Sequence, residues 1–328
     1  MRKGLIFGFL TAFVLLFGIQ PGISEARQFI SIGGGPTGGT FNYFANGFAI
    51  YIPRVESDIR ASAEGSGGSV ENVRRVSSGD FDFGLSYAVD MGLANIGQLP
   101  QDERKYENIR SIGYLFGAPG QLIVRANSDF KSAKDLKGRR VAVGNAGSGA
   151  ATAAERFFRH IGVWDEMRPQ FLGYSAAASA FQDRQIDAFW VLVGYPNASV
   201  IEAATQVNIR LIDIGKDAEE SGFYDAYAYA GMSIPQGTYP NMEADAHVFQ
   251  DSTIFITRND VDEDVVYRMT KAIWSKEGLA YMRQAHSAAR EMTMEQNFKN
   301  ASMPLHKGAA RFWEEQGIEI PEHLKPID

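Results

Sequence analysis

Gly33, Gly35 and Gly38 stand in the spacing G-x-G-x-x-G inside SIGGGPTGGTFNYFA, residues 31–45. A short apolar run precedes them and a helical pattern follows, the local setting of a dinucleotide fingerprint. Glycines at such a strand-to-helix turn let an anion approach backbone N–H groups at the positive end of a helix. A second loop of this kind, GNAGSG at residues 144–149, precedes an Ala-rich run. Neither loop carries the G-K-[ST] of a phosphate-binding P-loop. Two loops that hold negative charge without lysine or arginine predict a cleft in which two domains grip one small anion.

Hydroxyls and aromatics fall near these loops. Thr37, Gly38, Gly39 and Thr40 form the first candidate contact, with Tyr43 one turn into the helix. Ser148, Gly149 and Ala150 form the second. Ser69 follows another Gly-rich turn, and Ser86 and Tyr87 end a strand. Trp190 and Tyr195 flank VLVG at 191–194 and offer apolar walls with one polar tip, which suits a small organic acid. Thr40 and Ser148 are equally ordinary helix caps, and Trp190 is equally a core residue. Arg60, Arg125 and Arg184 are set aside as surface arginines.

The elements that position these residues follow from periodicity. Strands are expected at 28–32, 59–63, 81–87, 110–116, 122–125, 140–143, 171–174, 188–193, 209–214 and 252–257. Phe41, Phe44, Ala45, Phe48, Ala49 and Ile52 make one helix face, which Pro53 is expected to end. Further helices are expected at 70–78, at 150–161, after 262–264, and at 306–316 with Gly317 as its cap. Pro119-Gly120 predicts a break between two strands. Strand–helix alternation begins at residue 28 and again near 140, which means two α/β domains, each a mainly parallel sheet flanked by helices.

Residues 1–26 read as a secretory signal peptide: Arg2 and Lys3, an uncharged apolar run from 5 to 19, and small residues before a cut after Ala26. That predicts a periplasmic protein. Losing the segment takes the net charge from −7 to −8. Export speaks against a nucleotide cofactor, and the acidic balance against nucleic acid. The 328 residues include no cysteine, so the fold rests on its core. No metal, cofactor or catalytic set is expected: the five histidines include no i,i+4 pair, and there is no G-x-S-x-G elbow.

Taken in order, several short motifs resemble the solute-binding proteins of TRAP transporters, TAXI subfamily. They are GGTFNY at 38–43, GGSVEN at 67–72, DLKG at 135–138, GNAGSG at 144–149, IDA at 186–188 with GYP at 194–196, and PQGTYP at 235–240. The resemblance spans essentially the whole chain after residue 26. It implies a two-lobed, type II periplasmic-binding-protein-like fold that closes over its ligand. It also implies a small carboxylate ligand, such as glutamate, glutamine or a C4–C6 oxo- or dicarboxylate, and delivery to an ion-gradient-driven TRAP permease. The lobes are expected at 27–120 with 253–328, and at 121–252, with crossings near 118–120 and 251–254. Ala150 stands where the family usually has Thr or Ser, which removes a hydroxyl from a contact position. A sensor module for a membrane kinase, an ATP-driven importer's binding protein and an exported enzyme remain alternatives.

Overall fold

The computed structural model describes residues 27–327; the segment read as a signal peptide lies outside them. In chain order the elements begin with β1 (Gln28–Gly33), α1 (Thr40–Val55), β2 (Ile59–Glu64), α2 (Ser69–Ser78), β3 (Phe83–Tyr87), α3 (Ala88–Asn95) and β4 (Ile109–Arg125). β5 (Arg140–Ala142), α4 (Gly149–His160), β6 (Arg168–Gln170), α5 (Tyr174–Gln182), β7 (Ala188–Leu192), α6 (Ala198–Ala204) and β8 (Ile209–Leu211) follow. The chain continues through α7 (Ile214–Glu220), α8 (Phe223–Ala226), β9 (Ala230–Ile234), β10 (Ala246–Arg258), α9 (Glu263–Trp274), α10 (Lys276–Ala285) and α11 (Lys307–Glu315).

All ten strands join one curled sheet in the order β2-β1-β3-β10-β4-β7-β5-β6, with β8 on β4 and β9 on β10. β1 runs parallel to β2 and β3, and β5 runs parallel to β6 and β7. Two long strands tie these parallel sets together. β10 pairs with β9 as far as Gln250 and with β3 from Thr253 onward. β4 pairs with β10 as far as Pro119 and with β7 from Gly120 onward. The result is a two-lobed α/β fold with helices covering both halves of the sheet.

Each half has its own aromatic core. Phe44, Phe48, Phe83, Phe116 and Phe255 pack in the first; Phe157, Phe158, Trp190, Phe223 and Phe249 pack in the second. Each such fully buried ring contributes about 1.5–3 kcal/mol.

Some sequence expectations fail locally, for physical reasons. Pro53 does not end α1; it lies inside the last turn, which closes with the Glu56 amide on the Ile52 carbonyl. Pro119-Gly120 does not break β4. The proline falls where the strand exchanges β10 for β7, so its missing N–H comes at the end of a ladder. The apolar stretch at 171–174 is not a strand: β6 stops at Gln170, and Gly173 caps α5 instead. The predicted strand at 209–214 is cut short because Asp213 caps α7.

Candidate functional site

Four helices start at one cavity. α1, α2, α4 and α5 begin after Gly39, Gly68, Ser148 and Gly173, and all four cap residues line it. The first turn of a helix leaves N–H groups without intrahelical acceptors. Only Ser148 caps with its own side chain, accepting from the Ala151 amide at 3.0 Å; the three glycines offer none. Four positive helix ends therefore converge on one volume, two from each half of the sheet.

Asn72 of α2 shapes the first loop. Its amide donates to the carbonyls of Gly34 (2.6 Å), Leu85 (2.8 Å) and Gly33 (3.2 Å). Gly33 is required by this closeness: a Cβ there would lie 2.5 Å from the Phe81 ring and 2.8 Å from Asn72 Oδ1. Gly38, at φ +82°, makes the left-handed turn into α1. Its carbonyl accepts from Asn197 Nδ2 at 2.8 Å, while Asn197 Oδ1 caps α6.

The cavity is small in this structure: about 20 Å³ admits the centre of a water-sized sphere, room for about one water. No residue lining it is charged. Its polar groups are the hydroxyls of Thr40, Ser69, Tyr87, Ser148 and Tyr174 and the amide of Asn145, with Phe41, Val193 and Ala150 as apolar wall. Burial holds both tyrosine hydroxyls well above their ordinary pKa, so they stay protonated; the neighbouring Tyr174, Asp251 and Asp90 push Tyr87 the same way. Both donate to the Leu192 carbonyl, Tyr87 at 2.5 Å and Tyr174 at 3.0 Å.

The halves meet closely here. Thr40 Oγ1 donates to the Gly194 carbonyl at 3.4 Å. A Cβ on Gly149 would fall 2.5 Å from Ser69 Cβ and 2.6 Å from Asp90 Oδ2.

Of the predicted site residues, Gly39, Thr40, Ser69, Tyr87, Ser148, Gly149 and Ala150 line the cavity together. Thr37 is exposed, and Gly38 packs beside the wall against Ser175 and Ser199. Tyr43 is 41% exposed and turned toward His286. Ser86 is buried behind Ser69, hydroxyl to hydroxyl at 3.0 Å. Trp190 lies in the second core, where its indole N–H donates to the Ala150 carbonyl at 3.1 Å. Tyr195 stands outside the lining, its carbonyl accepting from Ser287 Oγ at 3.4 Å. Sequence reasoning missed Gly68, Asn145, Gly173 and Tyr174. Gly-Tyr-Ser-Ala at 173–176 does carry a helix-start signal, hidden by its apolar neighbours Phe171 and Leu172.

The NMT1-like family model matches residues 32–317. The chain belongs to the NMT1-like family. A curated Escherichia coli K12 protein assigned to the binding of aliphatic sulfonates is 30% identical over 131 residues, 38% of this chain. The chain matches about 40% of the length of that relative. Among solved structures, MatC from Rhodopseudomonas palustris with bound malate aligns at TM-score 0.55 and 14% identity, over 80% of this chain and 88% of MatC. A Bordetella bronchiseptica RB50 protein aligns at TM-score 0.52 and 16% identity, over 91% of each chain. At these identities the likeness is one of fold, and this NMT1-like chain shares the fold of periplasmic binding proteins. Among its described residues no cluster of His, Asp and Glu could hold a metal ion, and no helix is long and apolar enough to cross a membrane.

Proposed function

We propose that this protein is an extracytoplasmic solute-binding protein that captures a small carboxylate between its halves and delivers it to a membrane permease. The observation that carries the reading is the convergence of four helix starts, three capped only by glycine, on a cavity with no charged side chain. Amides and helix dipoles supply positive potential there without a fixed counter-ion. An anion then gains hydrogen bonds from both halves, and closure follows from that differential affinity. Moving a closing equilibrium from 1:99 to 99:1 takes roughly 5.5 kcal/mol, which two to four charge-assisted hydrogen bonds at about 1.5–3 kcal/mol each supply.

The lobes are residues 27–120 with 253–328, and 121–252. The exchanges of strand partner on β4 and β10 support hinges at 118–120 and 251–254. Thr40, Ser69, Tyr87, Ser148, Gly149 and Ala150 contact the solute. Binding and release, with no bond made or broken, fit a site without an acid–base pair. The TRAP-type permease as partner, the TAXI assignment and the periplasmic location rest on the motif resemblance, and the malate held by MatC supports a dicarboxylate.

A sulfonate is the second reading, favoured by the Escherichia coli relative. Sulfonate and carboxylate share a compact anionic head. Native mass spectrometry of protein purified from its own host tests both at once. A co-purified mass matching a small organic acid supports capture, and one matching a neutral sugar or a cation contradicts it.

A further inference from the structure

Directly behind the amide wall, at the meeting of the two halves, lie two buried carboxylates and one guanidinium. Asp90 stands on α3, Arg156 on α4, and Asp251 on β10 between its β9-paired and β3-paired parts. Asp90 is 1% exposed, Asp251 2%, and the Arg156 side chain 7%. Arg156 Nη2 donates to Asp90 Oδ1 at 3.3 Å, across the junction, and Nη1 donates to the Tyr229 hydroxyl. Asp251 Oδ1 accepts from the Ser252 amide at 2.7 Å and the Val89 amide at 3.3 Å. Asp90 Oδ2 has no hydrogen-bond partner among the described residues and lies against Gly149.

The charges facing this group are few. Among the described residues Arg156 is the one cation; Tyr87 and Tyr229 face the carboxylates as neutral phenols, and the Ser69 hydroxyl borders Asp90. Two ionised carboxylates with one guanidinium would leave a net charge of −1 shut away from water. The cheaper closed state carries one proton on the carboxylate pair.

We propose that Asp90, Asp251 and Arg156 form a proton-binding cluster at the lobe junction, and that closing the cleft takes up one proton there. The inference rests on the closing motion proposed above and not on the identity of the solute. Opening withdraws Arg156 with α4 and admits water to both carboxylates. Burial is the largest influence on each carboxyl, and Arg156 opposes it at both; Asp90 also raises Asp251, which is pushed up to about 8. Returning water therefore lowers the proton affinity of the pair more than losing Arg156 raises it. A carboxyl raised in the closed form favours closure fully below the ordinary carboxylate range, and this contribution is lost as pH rises through about 8. Between those limits the closing constant falls by up to about tenfold per pH unit.

The test needs no solute. The chain has no cysteine, and a Cβ on Gly38 would lie 4.0 Å from Ser199 Cβ, within the disulfide range of ~3.5–4.5 Å. Gly38→Cys with Ser199→Cys locks the cleft shut when oxidised. Carboxyl-carbon NMR of aspartate-labelled protein then follows the titration. In the oxidised form one aspartate is expected to titrate near pH 8, to vanish in Asp251→Asn, and to move down by about 2 units or more on reduction. No aspartate titrating above pH 6 in the oxidised form overturns the proposal, and so does one midpoint shared by both forms. Should the left-handed backbone at Gly38 prevent the lock, small-angle scattering of the unmodified protein between pH 5 and 9 replaces it. Expansion with rising pH, lost in Asp251→Asn, supports the proposal; an unchanged or shrinking radius overturns it. Failure here leaves solute capture standing, and failure to bind any organic anion leaves these titrations interpretable.

Discussion

The Tyr87 hydroxyl donates to the Leu192 carbonyl at 2.5 Å, and that bond joins the last residue of β3 to the last residue of β7. It crosses from one half of the sheet to the other at the cavity wall. Tyr174 donates to the same carbonyl from within the second half. Tyr87→Phe should therefore weaken closure while Tyr174→Phe acts within one half. At about 0.5–1.5 kcal/mol for a hydrogen bond, solute affinity falls roughly two- to tenfold for Tyr87→Phe. Calorimetric titration of both variants measures it; equal losses would show that the crossing bond has no special part.

Gly149 is a tight contact between the halves. Val in its place would drive side-chain atoms into Ser69 and Asp90, where a single Cβ already falls within 2.6 Å. Alanine is a better helix former than glycine, so α4 itself does not suffer. Gly149→Ala should keep the melting temperature of the free protein within a few degrees and reduce solute affinity by about tenfold or more, a 1.4 kcal/mol penalty on closure. Retained affinity in Gly149→Ala argues that the halves do not approach this closely when occupied.

Ser148 caps α4 with its own oxygen, and Ser148→Ala removes that bond. The expected cost is about 1 kcal/mol in chemical denaturation. Thr40→Val is different. Thr40 is not the cap of α1, and its hydroxyl reaches Gly194 across the cleft at 3.4 Å. Thr40→Val should leave the unfolding midpoint close to that of the unmodified protein and lower solute affinity severalfold. A stability loss without an affinity loss would give Thr40 a folding role only.

Asp102, another buried carboxylate, behaves opposite to Asp251. Arg104, Tyr106 and Arg74 hold Asp102 well below the usual carboxylate range. Its stabilising contribution is present above about pH 4 and declines as pH falls toward the depressed value. Asp102→Asn should cost about 1–3 kcal/mol at pH 7, with the gap to the unmodified protein narrowing below pH 4. Urea midpoints at pH 7 and pH 3 check the sign; a gap that widens in acid contradicts it.

Much of the fold was readable because its signals are local. The Gly loops, the apolar stripe of α1 and the double start of the β/α pattern each follow from short-range spacing. What stayed hidden is long-range. Nothing near Pro119 announces that β4 changes partner there, because the β10 strand that pairs with it lies more than 100 residues further on. At the site, two of the four helix starts were legible as anion loops. Gly68 and Gly173 were not, because a glycine cap looks like any turn until the other helix ends are seen pointing the same way. Trp190 illustrates the converse: its place in the chain suggests a ligand wall, but the ring is fully buried among Phe157, Phe158 and Phe249.

The most direct measurement of the central claim is a thermal-shift titration of the purified protein with malate, glutamate and ethanesulfonate, with glucose and putrescine as neutral and cationic controls. The account predicts saturable stabilisation by at least one of the anions, reaching about 2.7 kcal/mol at 100 times its dissociation constant and lost in Gly149→Val. Stabilisation by the controls alone, no response to any anion, or an anion response that survives Gly149→Val unchanged would contradict it.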